Sequence, residues 1–464
     1  MAGSGFSHIP KKVPLIDTQY RQIKTQLPVP ESIPLLEKMY RIESRSMHGQ
    51  LPIIWDKAAD FQVTDPWGNT WIDFTSTIFV ANAGHANPRI LALLQKQIDK
   101  PLLHTYTYTS PIRMEYLDYL IANTPQQFEK AFLLSAGTEA TEVAFKLMRM
   151  NGQKLGKRRQ GVICFEGAYH GRTLAAQMMT GNPQAREWIG YQDPDIHHLP
   201  FPLPWDKEVI AKPKEWFLDK IETLLSEQGL EPDKDICGFM LETFQGWGAL
   251  FYPAAMVQAL EAFAREHDIV IAFDEMQAGF GRTGTLFGYQ HYGIEPDLLC
   301  CGKGASSGMP LAIVLGTTEL MDLPDVGSMS STHSANPLCC AAGLGNLQAL
   351  LEDGLIENSA TLGAHFHQRL SEIQQKYSDH LSSVQGIGLL AALIFTDTDG
   401  KPLSKACDAI SELAFQRGLL VVHTGRESIK LAPPLSISKA ALNEGLDVLE
   451  SCVSDVLKVA NQDG

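Results

Sequence analysis

Two residues carry most of the chemistry that can be read from this chain. Lys303 stands between glycines in "LLCCGKGASSGMP", directly after an apolar run, and its amine can form a Schiff base with an aldehyde. Most lysines are solvated surface residues, so Lys303 gains meaning only from its neighbours. Asp274 ends the apolar run of "IVIAFDEMQAGFGRTG" and can keep a ring nitrogen protonated. The Gly-x-Gly-x-x-Gly of that stretch is not a dinucleotide loop. Such a loop places its glycines directly after the strand and its acid about 20 residues later, whereas Asp274 and Glu275 precede the glycines here. The glycines turn the chain.

A third feature is "SAGTEATEVAFKLM". Ala140, Val143, Ala144, Leu147 and Met148 follow the i, i+3, i+4 rule of an amphipathic helix, and Gly137 and Thr138 open it. Bare amides, a hydroxyl and the helix dipole at one spot suit a phosphate. A ligand with a phosphate, an aldehyde and a pyridine nitrogen that needs an acidic partner is pyridoxal phosphate.

Something must bring these residues together. Short apolar runs alternate with longer amphipathic segments through the middle of the chain, the pattern of a largely parallel sheet covered by helices. "AFLL" runs into "SAGTEA", "GVICF" into "EGAYHGRT", "CGFML" into "ETFQG", "IVIAF" into "DEMQ" and "DLLCC" into "GKG". Ligands of open α/β sheets bind beyond the carboxyl ends of the strands, so five strand ends are expected to converge on one site.

The bulk properties are those of an ordinary globular protein. The chain has 464 residues, 44% hydrophobic and 20% charged, enough for a large core in two domains. A net charge of -15 disfavours nucleic-acid and anionic-membrane partners, which need clustered Lys and Arg. The basic run "KLGKRR" (154–159) reads as a solvated loop. Eight cysteines without C-x-x-C spacing read as reduced thiols, and neither an apolar signal core in "MAGSGFSHIPKK" nor an apolar run of about 18 residues is found, so a cytoplasmic protein is expected. His197 and His198 are adjacent, not at i, i+4, so no metal site is expected.

The ordered motifs "DPWGNTWIDF…GHANP", "SAGTEA", "YHGRT", "ETFQGWGA", "DEMQAGFGRTG", "GKGASSGMP", "STHSANP" and "IKLAPPL" resemble the class-III (omega) aminotransferases of the fold-type I pyridoxal-phosphate enzymes. The resemblance runs from about Asp65 to Leu435. It implies a large α/β cofactor domain over 75–324 and a smaller α/β domain built from 1–74 and 325–464. It implies Lys303 as the Schiff-base lysine and proton shuttle, and Asp274 as the pyridinium partner. Gln277 would donate to the ring hydroxyl, and Tyr169 would stack on the ring. Gly137 and Thr138 would cradle the phosphate, with Thr332 completing the cradle from the neighbouring subunit of a homodimer with shared sites. Glu242 matches an acid behind the cofactor, and Ile78 falls where the family lines its substrate pocket. The partners implied are a small-molecule amino donor and a carbonyl acceptor, an aldehyde or keto compound.

The departures concern the substrate. Arg172 stands where the family reads a distal carboxylate, which keeps the glutamate and 2-oxoglutarate pair in view. The arginine usual before "PPL" is Lys430, a point charge instead of a planar fork. The glutamate that pairs with that arginine is Trp247, a flat apolar wall with one donor. Ser334 and Ala335 replace two usual glycines. The acceptor is therefore expected to be bulkier or less acidic than a simple omega-amino acid. Racemases or epimerases, decarboxylating aminotransferases and phospho-lyases of the same fold share Lys303 and Asp274, so these motifs leave them open. A nicotinamide dehydrogenase lacks its strand-glycine-helix unit here, and an inactive binding protein would not be expected to keep both residues.

Overall fold

The computed structural model describes residues 6–460; the first five residues of the N-terminal segment and the last four of the chain lie outside them. The chain divides into two compact units, one of Met1–Asn87, Trp247–Ala249 and Glu357–Gly464, the other of Pro88–Gly246 and Leu250–Ile356.

The second unit is built on a seven-stranded sheet. Its strands are β1 (Lys130–Leu134), β2 (Gly161–Phe165), β3 (Ile196–Leu199), β4 (Ile236–Glu242), β5 (Val270–Asp274), β6 (Leu298–Cys301) and β7 (Ala312–Gly316), in the spatial order β1-β7-β6-β5-β4-β2-β3. Only β7 runs against the others, pairing antiparallel with both β6 and β1. Every residue of β2, β4, β5, β6 and β7 is buried, as expected where helices cover both faces and the strands read as unbroken apolar runs. The register places Asp274 level with Glu242 on one side and Cys300 on the other, so the two acids finish their strands side by side.

Helix α1 (Gly137–Lys154) follows β1 and buries Ala140, Val143, Ala144, Leu147 and Met148 against the sheet, the stripe expected from their spacing. Each such fully buried Leu or Met side chain contributes about 1.5–3 kcal/mol. At its start the Glu139 carboxylate turns back to accept from the Ser135 and Ala136 N–H groups, both at 2.9 Å.

The unit boundaries differ from the 75–324 expectation. Residues 75–87 belong to the first unit, where Phe74 and Ser76 are tied to the C-terminal third by Phe74 N–H to Leu420 O (2.9 Å) and Ser76 Oγ to Ala432 O (2.6 Å). At the other end helix α2 (Pro337–Glu352), almost wholly buried, carries the second unit on to Ile356.

The first unit holds two smaller sheets. A four-stranded antiparallel sheet orders Leu381–Gln385, Ala391–Phe395, Ser428–Leu431 and Val422–His423. Another is centred on Thr70–Asp73, which takes Leu419–Leu420 as a parallel neighbour. The turn Ser76–Phe79 is left-handed through four consecutive non-glycine residues, with φ of 44, 53, 62 and 71°. Such a conformation costs roughly 1–2 kcal/mol per residue, and strain of this kind collects at functional sites.

The basic run 154–159 is mostly an exposed turn, as expected, with one exception: Lys157 is buried and its Nζ donates to His267 O (2.8 Å), while the exposed Arg158 pairs with Asp235 and Arg159 with Asp195. Acids far along the chain neutralise the run, which the local sequence does not show. All eight cysteines are free and buried.

Candidate active site

The five strand ends do converge. Residues 136–138 after β1, 169–172 after β2, 242–244 at the end of β4, Asp274 and 276–278 from the end of β5 and Lys303 after β6 line one cavity of about 330 Å³ in the second unit. That volume lies at the lower end of the range for small-ligand pockets.

Lys303 follows Gly302 at the end of β6 with a left-handed φ of 45°. Burial holds its amine below the ordinary lysine range, against the pull of the Asp274 and Glu242 charges. A larger share of neutral amine is what a nucleophile and base requires.

Asp274 is 5% exposed, and its two oxygens are separately held. The Met276 N–H donates to Oδ1 (3.0 Å), and His170 Nδ1 lies 3.0 Å from Oδ2. His170 is 2% exposed, and its Nε2 is buried without a hydrogen-bond partner among the described residues. The tautomer that satisfies this pair therefore carries its proton on Nδ1. Glu242 accepts from the Tyr169 N–H at 3.0 Å and so anchors the aromatic residue that enters the cavity beside Arg172. The Arg172 guanidinium carbon lies 5.9 Å from the Tyr169 ring centroid.

Behind this wall Glu275 is fully enclosed. It accepts from the Gly288 N–H (2.8 Å), the Tyr289 N–H (2.7 Å) and the Thr243 hydroxyl. Burial pushes its carboxyl up to about 7 although these bonds pull it down, and the Asp274 charge adds to the rise. The loop beyond takes left-handed backbone at Gly281 and Gly284, with φ of 87 and 86°. These glycines turn the chain, as their position after the acids implied.

The cavity fits pyridoxal phosphate on its own geometry. The first-turn amides of a helix have no partner within the helix, and Gly137 and Thr138 occupy that turn. A Cβ at Gly137 would stand 2.7 Å from Met276 Sδ, so the bare backbone is what lets the helix start come this close. The Thr138 hydroxyl lies 2.6 Å from that of Thr173. An anion cradle, a buried carboxylate held at both oxygens and a desolvated amine thus face one space, with Gln277 on its rim.

Residues 44–453 match the model of the class-III aminotransferases. The chain belongs to this family. It is 34% identical to the 2-aminoadipate transaminase of Pseudomonas putida over 87% of this chain and 96% of that one. It is 31% identical to a 4-aminobutyrate aminotransferase of Escherichia coli over 88% and 95%. Its fold matches that of a thermostable (S)-enantioselective omega-transaminase from Thermomicrobium roseum with a TM-score of 0.83, at 26% identity, over 94% of this chain and all of that one. The protein is a pyridoxal-phosphate-dependent aminotransferase of fold type I.

The remaining sequence candidates are not in the Lys303 cavity. Thr332 is exposed on a loop, where its carbonyl accepts from His104 Nε2 (2.8 Å). Nearby Ala335 holds a left-handed φ of 53°, which explains why glycine is usual there. Lys430, Trp247 and Ile78 lie in the first unit. Lys430 sits on the strand Ser428–Leu431, 6% exposed, with Nζ 4.5 Å from the Phe79 ring centroid. Trp247 carries the Arg426 guanidinium 3.8 Å above its ring, and its carbonyl accepts from Ser428 Oγ. Ile78 is 47% exposed on the left-handed turn.

Sequence reasoning missed two partners. His170 is one: no spacing rule links it to Asp274, 104 residues away. Arg426 is the other: its stacking on Trp247 depends on a strand and a turn far apart in the chain.

Proposed function

We propose that this aminotransferase takes its amino group from an amino acid, with glutamate and 2-oxoglutarate as the donor pair, and passes it to an aldehyde or keto compound bulkier or less acidic than a simple omega-amino acid. The observation that carries the reading is the meeting of Lys303, Asp274 and the start of helix α1 in one cavity. When bound, pyridoxal phosphate supplies an electron-withdrawing ring and a carbonyl carbon through which amino groups are exchanged.

The chain's own residues do the rest. Lys303 Nζ would hold the cofactor through its carbonyl carbon, and its neutral amine would take the proton from the donor's α-carbon and later return one. Its desolvation favours the neutral amine that this needs. Asp274 would accept from the ring N–H of the cofactor, and His170, 3.0 Å from its Oδ2, would keep it aimed. Gln277 would donate to the ring hydroxyl, and Tyr169, tethered through its N–H by Glu242, would cover the ring face. Gly137 and Thr138 bind the phosphate, joined by Thr332 from a second copy of the chain, so the working unit is a homodimer. The exposed position of Thr332 supports that exchange. Arg172 receives the distal carboxylate of glutamate and Lys430 its α-carboxylate, while Trp247 and Ile78 shape the substrate space. Eight reduced, buried cysteines support a cytoplasmic location, and no helix among the described residues is long and apolar enough to cross a membrane.

The test is Lys303→Ala. The purified protein should be yellow, with a visible band that shifts on adding an amino donor. The variant should lose the covalent link and at least the ~10²–10⁴-fold that a proton-transfer group contributes. Turnover within a few-fold of wild type would refute the assignment.

A further inference from the structure

Helix α2 (Pro337–Glu352) carries a single amide among its buried residues. Its interior is otherwise Pro, Cys, Ala, Gly and Leu, and Asn346 sits within it at 0% exposure. Asparagine is a poor helix former, and an amide taken out of water is costly unless it finds hydrogen-bond partners. Its partners explain its presence. Asn346 Nδ2 donates to Gly304 O (2.8 Å), and Oδ1 accepts from the Ser307 hydroxyl (2.5 Å). These residues stand one and four positions after Lys303, and all of them belong to the second unit. Gly343, three residues before Asn346 and on the same face, lets the helix come close to this segment: a Cβ there would stand 2.7 Å from Leu311 Cδ2.

The segment that Asn346 grips is strained. Lys303 and Ser307 hold left-handed φ values of 45 and 52°. The Cβ of each disfavours this region, so the conformation persists only where the surroundings impose it. Inside the segment the Ala305 N–H donates to Gly302 O (2.9 Å) and Ser306 Oγ to Met309 O (2.5 Å). Those bonds shape the loop without fixing it to the rest of the unit. The Asn346 amide is flat and offers a donor and an acceptor at once, so it ties the loop at two points to a helix whose close packing leaves little room to shift. A leucine of similar volume would fill the place and hold neither point.

We infer, resting on the proposed role of Lys303 at the cofactor, that Asn346 is a positioning residue for that lysine: its amide clamps the loop at Gly304 and Ser307 and so holds the Lys303 amine where it meets the cofactor's carbonyl carbon. The phosphate cradle and Asp274 are built on other strand ends and do not depend on this clamp. Loss of Asn346 therefore separates two events that otherwise go together, the docking of the cofactor and its capture by the lysine.

The experiment starts from full-length protein stripped of cofactor. Pyridoxal phosphate is added and the rise of the visible band is followed by stopped flow. Binding of pyridoxamine phosphate, which has the same ring and phosphate but no carbonyl for the lysine, is measured in parallel. Asn346→Leu should slow the rise of the band by roughly ten- to hundred-fold, the scale on which a misplaced reacting group is felt. Its affinity for pyridoxamine phosphate should stay within a few-fold of wild type. Ser307→Ala removes only the contact to Oδ1 and should slow the band by roughly three- to ten-fold, the share of one neutral hydrogen bond. In the donor half-reaction of the loaded variants kcat should fall and KM should hold. A wild-type band rate in Asn346→Leu, or in Ser307→Ala should the first variant not fold, overturns the assignment. Equal losses of band rate and of pyridoxamine phosphate affinity overturn it too, because Asn346 would then only support the fold. In both cases the aminotransferase reading stands. If wild type forms no band, or Lys303→Ala forms the same one, the role of Lys303 falls and the clamp with it.

Discussion

His170 offers a sharp test of how the site is held. Its Nδ1 is 3.0 Å from Asp274 Oδ2, both side chains are almost fully buried, and the other oxygen already accepts from the Met276 N–H. His170→Phe keeps an aromatic ring in the space but removes the donor, so Oδ2 is left buried with one bond fewer. Leaving a buried acceptor unsatisfied costs about 1–3 kcal/mol, and more for a charged group. The fold should lose about that much stability in denaturant titrations of the cofactor-free protein. Asp274, free to rotate about its remaining bond, should present its carboxylate less well, and the same energy would slow exchange of the donor's α-hydrogen for deuterium by about 5- to 150-fold. His170→Asn is the control, because its amide N–H₂ lies near the position of Nδ1 and can donate in its place. It should recover most of the stability and stay within a few-fold of wild-type exchange. Wild-type exchange in His170→Phe, or an equal loss in His170→Asn, would show that the contact does not position Asp274.

Three other outcomes are expected. Lys430→Met keeps the buried volume on the strand Ser428–Leu431 but removes the charge, and should raise the donor KM by about 10- to 150-fold, corresponding to about 1.5–3 kcal/mol for a charge-assisted contact. An unchanged KM would make Lys430 a packing residue held over Phe79. Mixed dimers of Thr332→Ala and Lys303→Ala chains should bind cofactor with wild-type affinity at the lysine-bearing site, because the phosphate contact there comes from the Lys303→Ala copy, whose Thr332 is intact; weakened binding at that site would show that Thr332 serves its own chain. Glu275 tests pH dependence. Its folded value of about 7 lies above the ordinary 4.5, so its contribution is fully present below 4.5 and fades as pH rises through 7. Melting temperatures of Glu275→Gln should therefore fall less between pH 5 and 8 than those of wild type, and parallel curves would contradict the raised value.

The sequence by itself determined the chemistry and much of the sheet. Apolar runs that end in glycine or acid mark strands buried on both faces, and a parallel sheet must place those ends on one edge; hence Lys303, Asp274, Tyr169, Glu242 and Gly137 could be grouped before any coordinates. The stripe from Ala140 to Met148 likewise reports its own buried face, because helical period is a local property. What only the tertiary structure decided are pairings between distant segments. Lys157 looks solvated until the fold buries it against the His267 carbonyl, and Arg158 and Arg159 find their partners Asp235 and Asp195 only in three dimensions. The burial of Lys430 beside Phe79 follows from strand pairing that its local sequence does not show. The left-handed turn 76–79 contains no glycine to announce it, and its geometry is imposed by bonds to residues such as Ala432, more than 300 positions away. His170 and Asp274 become partners for the same reason: the strands that end near them lie in one sheet with β4 between, and adjacency in a parallel sheet is set by crossovers that leave no mark in local sequence.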